Sequence, residues 1–130
     1  MAERIAFKGK TQTEAKEIEP KEYLGLLNTR ERRFIKRNPM QYKKLLEKIE
    51  KNRKAGKTKP IRTHARDAVI LPSWIGLPFA VHNGKEFKEF VIDANMLGHR
   101  LGEYSYTTKR VQHSAPGIKA TKGSKFLANK

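Results

Sequence analysis

The most regular spacing of apolar residues lies in the first half of the chain, between Asn38 and Gly56. Four apolar residues there follow the i, i+3, i+4, i+7 spacing of one helix face: Tyr42, Leu45, Leu46 and Ile49. Asn38-Pro39 is typical of a helix start, and Gly56 is typical of a helix end. The pattern predicts a helix from about Met40 to Lys54.

Two shorter helices are predicted before this one. Glu19-Pro20 suits a first helix, and four apolar residues follow it: Tyr23, Leu24, Leu26 and Leu27. Asn28 or Thr29 can then cap a second short helix that is rich in arginine. The N-terminal part of the chain is therefore expected to be helical and basic.

The pattern changes to short strands after a basic connector at 57–66. The apolar run at 67–71 predicts a strand that Pro72 ends. The runs at 77–82 and 85–92 flank Asn83-Gly84, a pair that favours a β-hairpin because both turn residues need positive φ. Asp93 is expected to cap a short helical turn through Leu97, and from Ser105 onward apolar residues become sparse.

Charge changes this picture more than overall composition does. The net charge is +16 over 130 residues, with a pI near 10.3. Residues 23–66 hold fifteen basic and three acidic side chains, and residues 104–130 hold six basic and no acidic ones. Residues 67–103, in contrast, hold three basic and five acidic ones. A nearly neutral centre between two basic regions predicts a small folded core with extensions that bind a polyanion.

The sequence argues against several other classes of protein. The apolar run from Ala68 to Leu71 is far shorter than the ~20 residues of a membrane span, and the N-terminus does not resemble a signal peptide. With no cysteine in the chain, disulfides and cysteine-based zinc sites are excluded. We therefore expect a soluble, intracellular protein whose anionic partner is a nucleic acid rather than a membrane.

No catalytic chemistry is predicted. Two Gly-Lys-Thr triplets, at 9–11 and 56–58, lack the earlier glycine of a phosphate-binding loop. The four histidines fit no metal-ligand spacing, and the carboxylates of the central block show no paired arrangement. We expect no cofactor, no metal and no enzyme activity. His82, inside a predicted strand, is expected to be an ordinary core or surface histidine.

The candidate RNA contacts lie mainly where basic residues occur with few carboxylates. A run of basic residues such as 30–37 is often only a solvated helix face. A surface selected for stability, however, would mix positively and negatively charged side chains, and this run has a single carboxylate. Arginine also suits two-pronged phosphate contacts. The predicted contacts are Arg30, Arg32, Arg33, Lys36, Arg37, Arg62, His64, Arg66, Lys85, His99, Arg100, Lys109, Arg110, His113, Lys119, Lys122 and Lys125. A chromatin-like DNA-binding protein and an RNA-processing enzyme are the alternatives.

The central block, Arg62 to Thr107, has a set of motifs at fixed spacing. They are Asn83-Gly84-Lys85, Ile92, Leu97-Gly98, Leu101-Gly102-Glu103-Tyr104 and Thr107. Together they resemble the small-subunit ribosomal protein family S-nineteen. The arginines at 30, 32 and 33 and the tail motif Pro116-Gly117-Ile118 resemble its archaeal and eukaryotic branch. The resemblance covers residues 20–130, and residues 1–19 match nothing specific.

The resemblance implies an α+β fold, with a small mixed β-sheet of about three strands, packed helices, a basic helical N-terminal extension and an extended C-terminal tail. We place the boundaries at 1–22, 23–60, 61–106 and 107–130. It also implies a structural constituent of the cytoplasmic ribosome that binds rRNA in the head of the small subunit. Its neighbours would be small-subunit protein thirteen and the large subunit, with the tail near the tRNA and decoding region. Trp74 departs from the family pattern, and it is expected to pack either locally or against a partner protein.

Overall fold

A computed structural model describes residues 4–111 of the chain, and four helices, three strands and three short 3-10 turns follow one another along it. The helices are α1 (Gln12–Lys16), α2 (Pro20–Leu26), α3 (Thr29–Arg37) and α4 (Pro39–Lys54). The strands are β1 (Ile61–Thr63), β2 (Pro78–His82) and β3 (Phe87–Val91). The 3-10 turns cover Pro72–Trp74, Ala94–Met96 and Leu101–Tyr104. The arrangement is α+β, as predicted.

The sheet is mixed, with β2 in the centre. Strand β1 pairs with β2 in parallel, and β2 pairs with β3 in antiparallel register, with His82 opposite Phe87. The predicted hairpin at Asn83-Gly84 is confirmed, but its turn was predicted wrongly: Asn83 does not have positive φ, and the connection has four residues, 83–86. Gly84 has a φ of 100°, and the Asn83 side-chain oxygen accepts from the backbone N–H groups of Lys85 and Glu86 at 3.0 and 2.8 Å.

The location of the third strand was predicted wrongly. The strand lies at Ile61–Thr63, inside the stretch expected to be a basic connector. Residues 67–71 do not join the sheet: they form only an isolated antiparallel bridge between Val69 and Arg100. Two tyrosine hydroxyls take the place of a strand partner here. Tyr42 accepts from the backbone N–H of Val69 at 2.6 Å, and Tyr23 donates to the carbonyl of Ile70.

The core lies between α4 and the inner face of the sheet. Leu45 and Ile49 of α4 are buried, as are Ile61 of β1 and Phe79 of β2. Trp74 is fully buried, with its ring centroid 5.4 Å from that of Phe79 and 6.4 Å from that of Tyr42. Of the two expectations for Trp74, local packing is therefore the one the structure shows.

Residues 4–19, which match no part of the resemblance, pack into the same core. Phe7, Ala15 and Ile18 are buried. Helix α1 was not predicted, although Thr11 and Glu14 have the spacing of a capping box. The Glu14 carboxylate accepts from the Thr11 backbone N–H at 2.8 Å, and this hydrogen bond lowers the pKa of Glu14.

Candidate RNA interface

One face of α3 presents a row of arginines. Arg30, Arg33 and Arg37 are exposed and lie on one side of the helix because their spacing is i, i+3, i+7. With Phe34 and Arg100 they line an open groove of about 550 Å³. Lys36 is exposed on the same helix. Four arginines therefore line one groove and concentrate positive charge there.

Arg100 joins this groove from a distant part of the sequence. Its guanidinium carbon lies 4.5 Å from the centroid of the Phe34 ring, and its Nε lies 3.9 Å from a carboxylate oxygen of Glu31. Its backbone forms the isolated antiparallel bridge with Val69. The structure therefore brings together two predicted contacts, the 30–37 run and Arg100, that are more than sixty positions apart in sequence.

Arg32 lies away from this groove and ties α3 to the end of α2. Its Nε donates to the carbonyl of Leu24 at 2.8 Å, and its Nη2 donates to Gly25 at 3.1 Å and to Leu27 at 2.9 Å. The last carbonyls of a helix lack partners within the helix. The Arg32 side chain supplies partners for them, so its visible role is structural.

Arg66 has a similar internal role. Its guanidinium is half-buried and donates to His82 at 2.6 Å, to Gly102 at 3.0 Å and to Ser105 at 2.6 Å, all through backbone carbonyls. These bonds join the end of β2 to the last 3-10 turn. For both Arg32 and Arg66, contact with RNA stays a prediction.

The end of the sheet nearest the hairpin turn brings together another group. Arg62 and His64 are exposed there, and His64 contacts the rings of His82 and Phe87. Lys85 is exposed at the tip of the hairpin. Sequence reasoning missed His82 and Phe87 as members of this group. The parallel pairing of β1 with β2, which has no local sequence signal, is what places them beside His64.

The remaining predicted contacts lie apart from these two surfaces. The His99 ring is about half exposed, and its Nδ1 lies 2.6 Å from the Glu103 carboxylate. Lys109 and Arg110 are exposed at the end of the described chain. His113, Lys119, Lys122 and Lys125 lie outside the described residues.

Three tyrosines whose pKa values are raised are packed into the fold and do not belong to the two basic surfaces. Burial raises the pKa of Tyr23 to about 12 and also raises the pKa of Tyr42 and of Tyr104. These phenols are neutral at pH 7 and, in the case of Tyr23 and Tyr42, hold the buried backbone of residues 69–70. Within residues 4–111, no cluster of three His, Cys, Asp or Glu side chains could hold a metal ion.

No helix in the described part of the chain is both long and apolar enough to cross a bilayer. The fold and these surfaces define a small, strongly basic α+β protein that presents three exposed arginines on one face of α3.

Comparison with known proteins gives the family. A family model described as Ribosomal protein S19 matches residues 33–113. A protein of Saccharolobus solfataricus, named small ribosomal subunit protein uS19, is 50% identical over 126 residues, which is 95% of this chain and 90% of the relative. A protein of Metallosphaera sedula with the same name is 42% identical over 130 residues, covering 98% of this chain and 92% of the relative. The chain belongs to the ribosomal protein S19 family.

Family membership confirms the resemblance drawn from residues 62–107. It also confirms a structural role in the small ribosomal subunit and the prediction that the chain is not an enzyme. The ribosome is its location in the cell.

Proposed function

We propose that this chain binds small-subunit rRNA in the head of the subunit and that the arginine groove on α3 is its principal phosphate-binding surface. The groove with Arg30, Arg33, Arg37 and Arg100 is the observation on which this rests. An arginine fork matches two phosphate oxygens, and a guanidinium is more weakly hydrated than an ammonium, so its desolvation on binding costs less. Neutralised phosphates release counterions, which supplies sequence-independent affinity.

Contacts among the helices and Arg100 hold the arginine groove in a fixed shape. Arg100 is held by Phe34 and Glu31, and α3 is tied to α2 through Arg32. Shape therefore contributes to recognition, because a structured RNA must present its phosphates at the spacing of these side chains. Duplex DNA, the partner of the chromatin-like alternative, would meet the same charge, but membership of a ribosomal family favours RNA.

The finer assignments are part of the same proposal. The segments 23–60 and 107–130 supply most of the phosphate contacts, the core at 61–106 orients them, and 1–22 is an extension that joins the core. Small-subunit protein thirteen is the neighbouring protein, and the large subunit lies close by. The basic tail extends toward the tRNA and decoding region, where its carboxylate-free sequence would meet little repulsion from RNA.

Salt dependence tests the arginine groove. A variant with Arg30→Gln, Arg33→Gln and Arg37→Gln should bind purified small-subunit rRNA more weakly. The slope of log affinity against log salt should fall in magnitude by about 2 to 3, since each phosphate contact contributes about 0.7 to 0.9. Filter binding between about 50 and 200 mM salt would measure both quantities.

The matched control removes three exposed lysines from α4 instead: Lys44→Gln, Lys51→Gln and Lys54→Gln. Two of these lysines follow a glutamate by four positions and can pair within their own helix. The control should therefore change the slope by less than the arginine variant does. Equal changes in the two variants would show that total charge, not the groove, determines binding.

A further inference from the structure

Three aromatic rings lie side by side at one end of the sheet. His82, the last residue of β2, pairs with Phe87, the first residue of β3. His64 directly follows Thr63, which pairs with Val81. In β1, Ile61 and Thr63 are buried while Arg62 and His64 are exposed, so the last two lie on the outer face of the sheet. We call His64, His82 and Phe87 the ring cluster.

The rings of the cluster contact one another closely. The centroids of His64 and His82 are 4.6 Å apart with the planes at 35°. Phe87 lies 4.9 Å from His82 and 5.2 Å from His64, at 74° to each. Phe87 thus supports both imidazoles from the side, while the exposed His64 keeps part of its ring open to solvent.

The backbone fixes the position of the cluster. His82 accepts through Nδ1 from the Gly84 N–H at 3.0 Å, so the hairpin turn orients this ring. Its carbonyl accepts from Arg66 at 2.6 Å. His64 packs against this fixed ring, so it loses little conformational entropy when a flat ligand stacks on its exposed face.

Cations surround the cluster on two sides. The guanidinium carbon of Arg62 lies 5.4 Å from the centroid of Phe87, and Lys85 is exposed at the adjacent turn. The nearby carboxylates are Glu86, at the turn, and Glu89, which lies in the next row of the sheet opposite Ala80. Arg62 and Glu89 flank the buried Ala80 in that row, so the row holds one exposed cation and one exposed carboxylate.

We infer that the ring cluster binds one unpaired RNA base, which stacks on the exposed face of His64 while Arg62 contacts an adjacent phosphate. Base stacking on aromatic rings next to cations is the general means by which proteins hold single-stranded RNA. This inference rests on the proposed rRNA binding, and it adds a contact that reads an unpaired base rather than the backbone. It also gives His82 and Phe87 a role in binding.

The first test compares four full-length variants for binding to small-subunit rRNA. His64→Ala and Phe87→Leu should each weaken binding about tenfold while the salt slope stays that of the parent, because stacking releases no counterions. His64→Tyr should restore affinity, since it keeps a ring, and His64→Lys should not, since it keeps only a cation. Parent-like affinity of His64→Ala, or better recovery with lysine than with tyrosine, would overturn the inference.

A second measurement observes the ring directly. Single-stranded oligoadenylate of about ten nucleotides should shift the His64 ring proton signals upfield in NMR spectra of the parent, through the ring current of a stacked base. A duplex RNA of equal length should not. Absence of the shift, or the same shift with the duplex, would overturn the stacking assignment. If instead the parent failed to bind rRNA at all, the proposed function would fail, and this would be distinct from loss of stacking alone.

Discussion

Arg32 and Arg33 are neighbours in sequence, yet the structure places them in different surroundings. Arg33 is exposed in the groove of α3, whereas Arg32 donates three hydrogen bonds to the carbonyls of residues 24, 25 and 27. Replacing each with glutamine in separate variants therefore separates structural from binding roles. We predict that Arg32→Gln lowers stability and that Arg33→Gln lowers RNA affinity.

The magnitude follows from the bonds lost. Hydrogen bonds from a charged donor each contribute about 1.5 to 3 kcal/mol, but the carbonyl of Gly25 is exposed and can bind water instead. The two bonds to Leu24 and Leu27 are only part-buried, so water compensates part of their loss and each contributes about 1 to 1.5 kcal/mol, a total of about 2 to 3 kcal/mol. For a folded region of this size, that corresponds to a fall in Tm of about 8 to 12 °C. Arg33→Gln, at an exposed position, should stay within about 0.5 kcal/mol of the parent.

Thermal unfolding followed by circular dichroism measures the first effect, and the salt slope of rRNA binding measures the second. At a temperature where both variants are folded, Arg32→Gln should keep the slope of the parent. Arg33→Gln should reduce it by about 0.7 to 0.9, the value of one phosphate contact. If Arg32→Gln melted with the parent and reduced the slope as Arg33→Gln does, its guanidinium would face RNA rather than α2, and the reasoning would be refuted.

Two further predictions concern alkaline pH and the tail. Burial raises the pKa of Tyr23 to about 12 from its ordinary value near 10, so its contribution to stability is complete below about pH 10 and is lost as pH rises through 12. The stability difference between the parent and Tyr23→Phe, measured by urea unfolding, should therefore shrink between pH 9 and pH 11; a constant difference would contradict this. Deletion of residues 109–130 should leave the melting temperature unchanged but impair incorporation into small subunits, and normal translation by subunits with the shortened chain would argue against a role for the tail.

Local signals explain which parts of the fold the sequence could predict. Helix α4 begins at Pro39 and ends at Lys54, close to the prediction, because its cap, its apolar spacing and its end signal all lie within the element. The place of the hairpin was predictable for the same reason, since Asn83-Gly84 lies within it, although the two-residue turn with both φ values positive was not formed.

Strand β1 could not be predicted because its partner is distant. Its three residues pair with 79–81, and such a short strand shows little alternation of its own. Residues 67–71 gave the opposite error: Ala68, Val69 and Ile70 are apolar and buried as strand residues often are, but their backbone is bound largely by tyrosine hydroxyls and by residues 99–101. Burial can be predicted from composition, whereas the identity of a hydrogen-bond partner cannot.

In the candidate site, too, the features with a local sequence signal were predictable and those set by distant partners were not. The charge pattern predicted contacts on α3, and the Asn83-Gly84 turn predicted one at Lys85, but neither could tell that Arg32 and Arg66 donate to backbone carbonyls of their own chain. All arginines in a basic run look alike in sequence. Only the packing of α2 on α3, and of β2 beside the last 3-10 turn, distinguishes those that are free to bind a partner.

The packing of the first twenty residues has a consequence for the order of folding. Gln12 donates to the carboxylate of Asp93, and the Tyr23 hydroxyl accepts from the backbone of Gly98, contacts that span 81 and 75 positions. Such long-range contacts require much of the chain to be in place before they can form, and they slow folding. During synthesis the N-terminal segment therefore cannot complete these contacts until nearly the whole core has been made. Nascent chains that stop short of residue 98 would leave Phe7 and Tyr23 exposed to solvent and to chaperones.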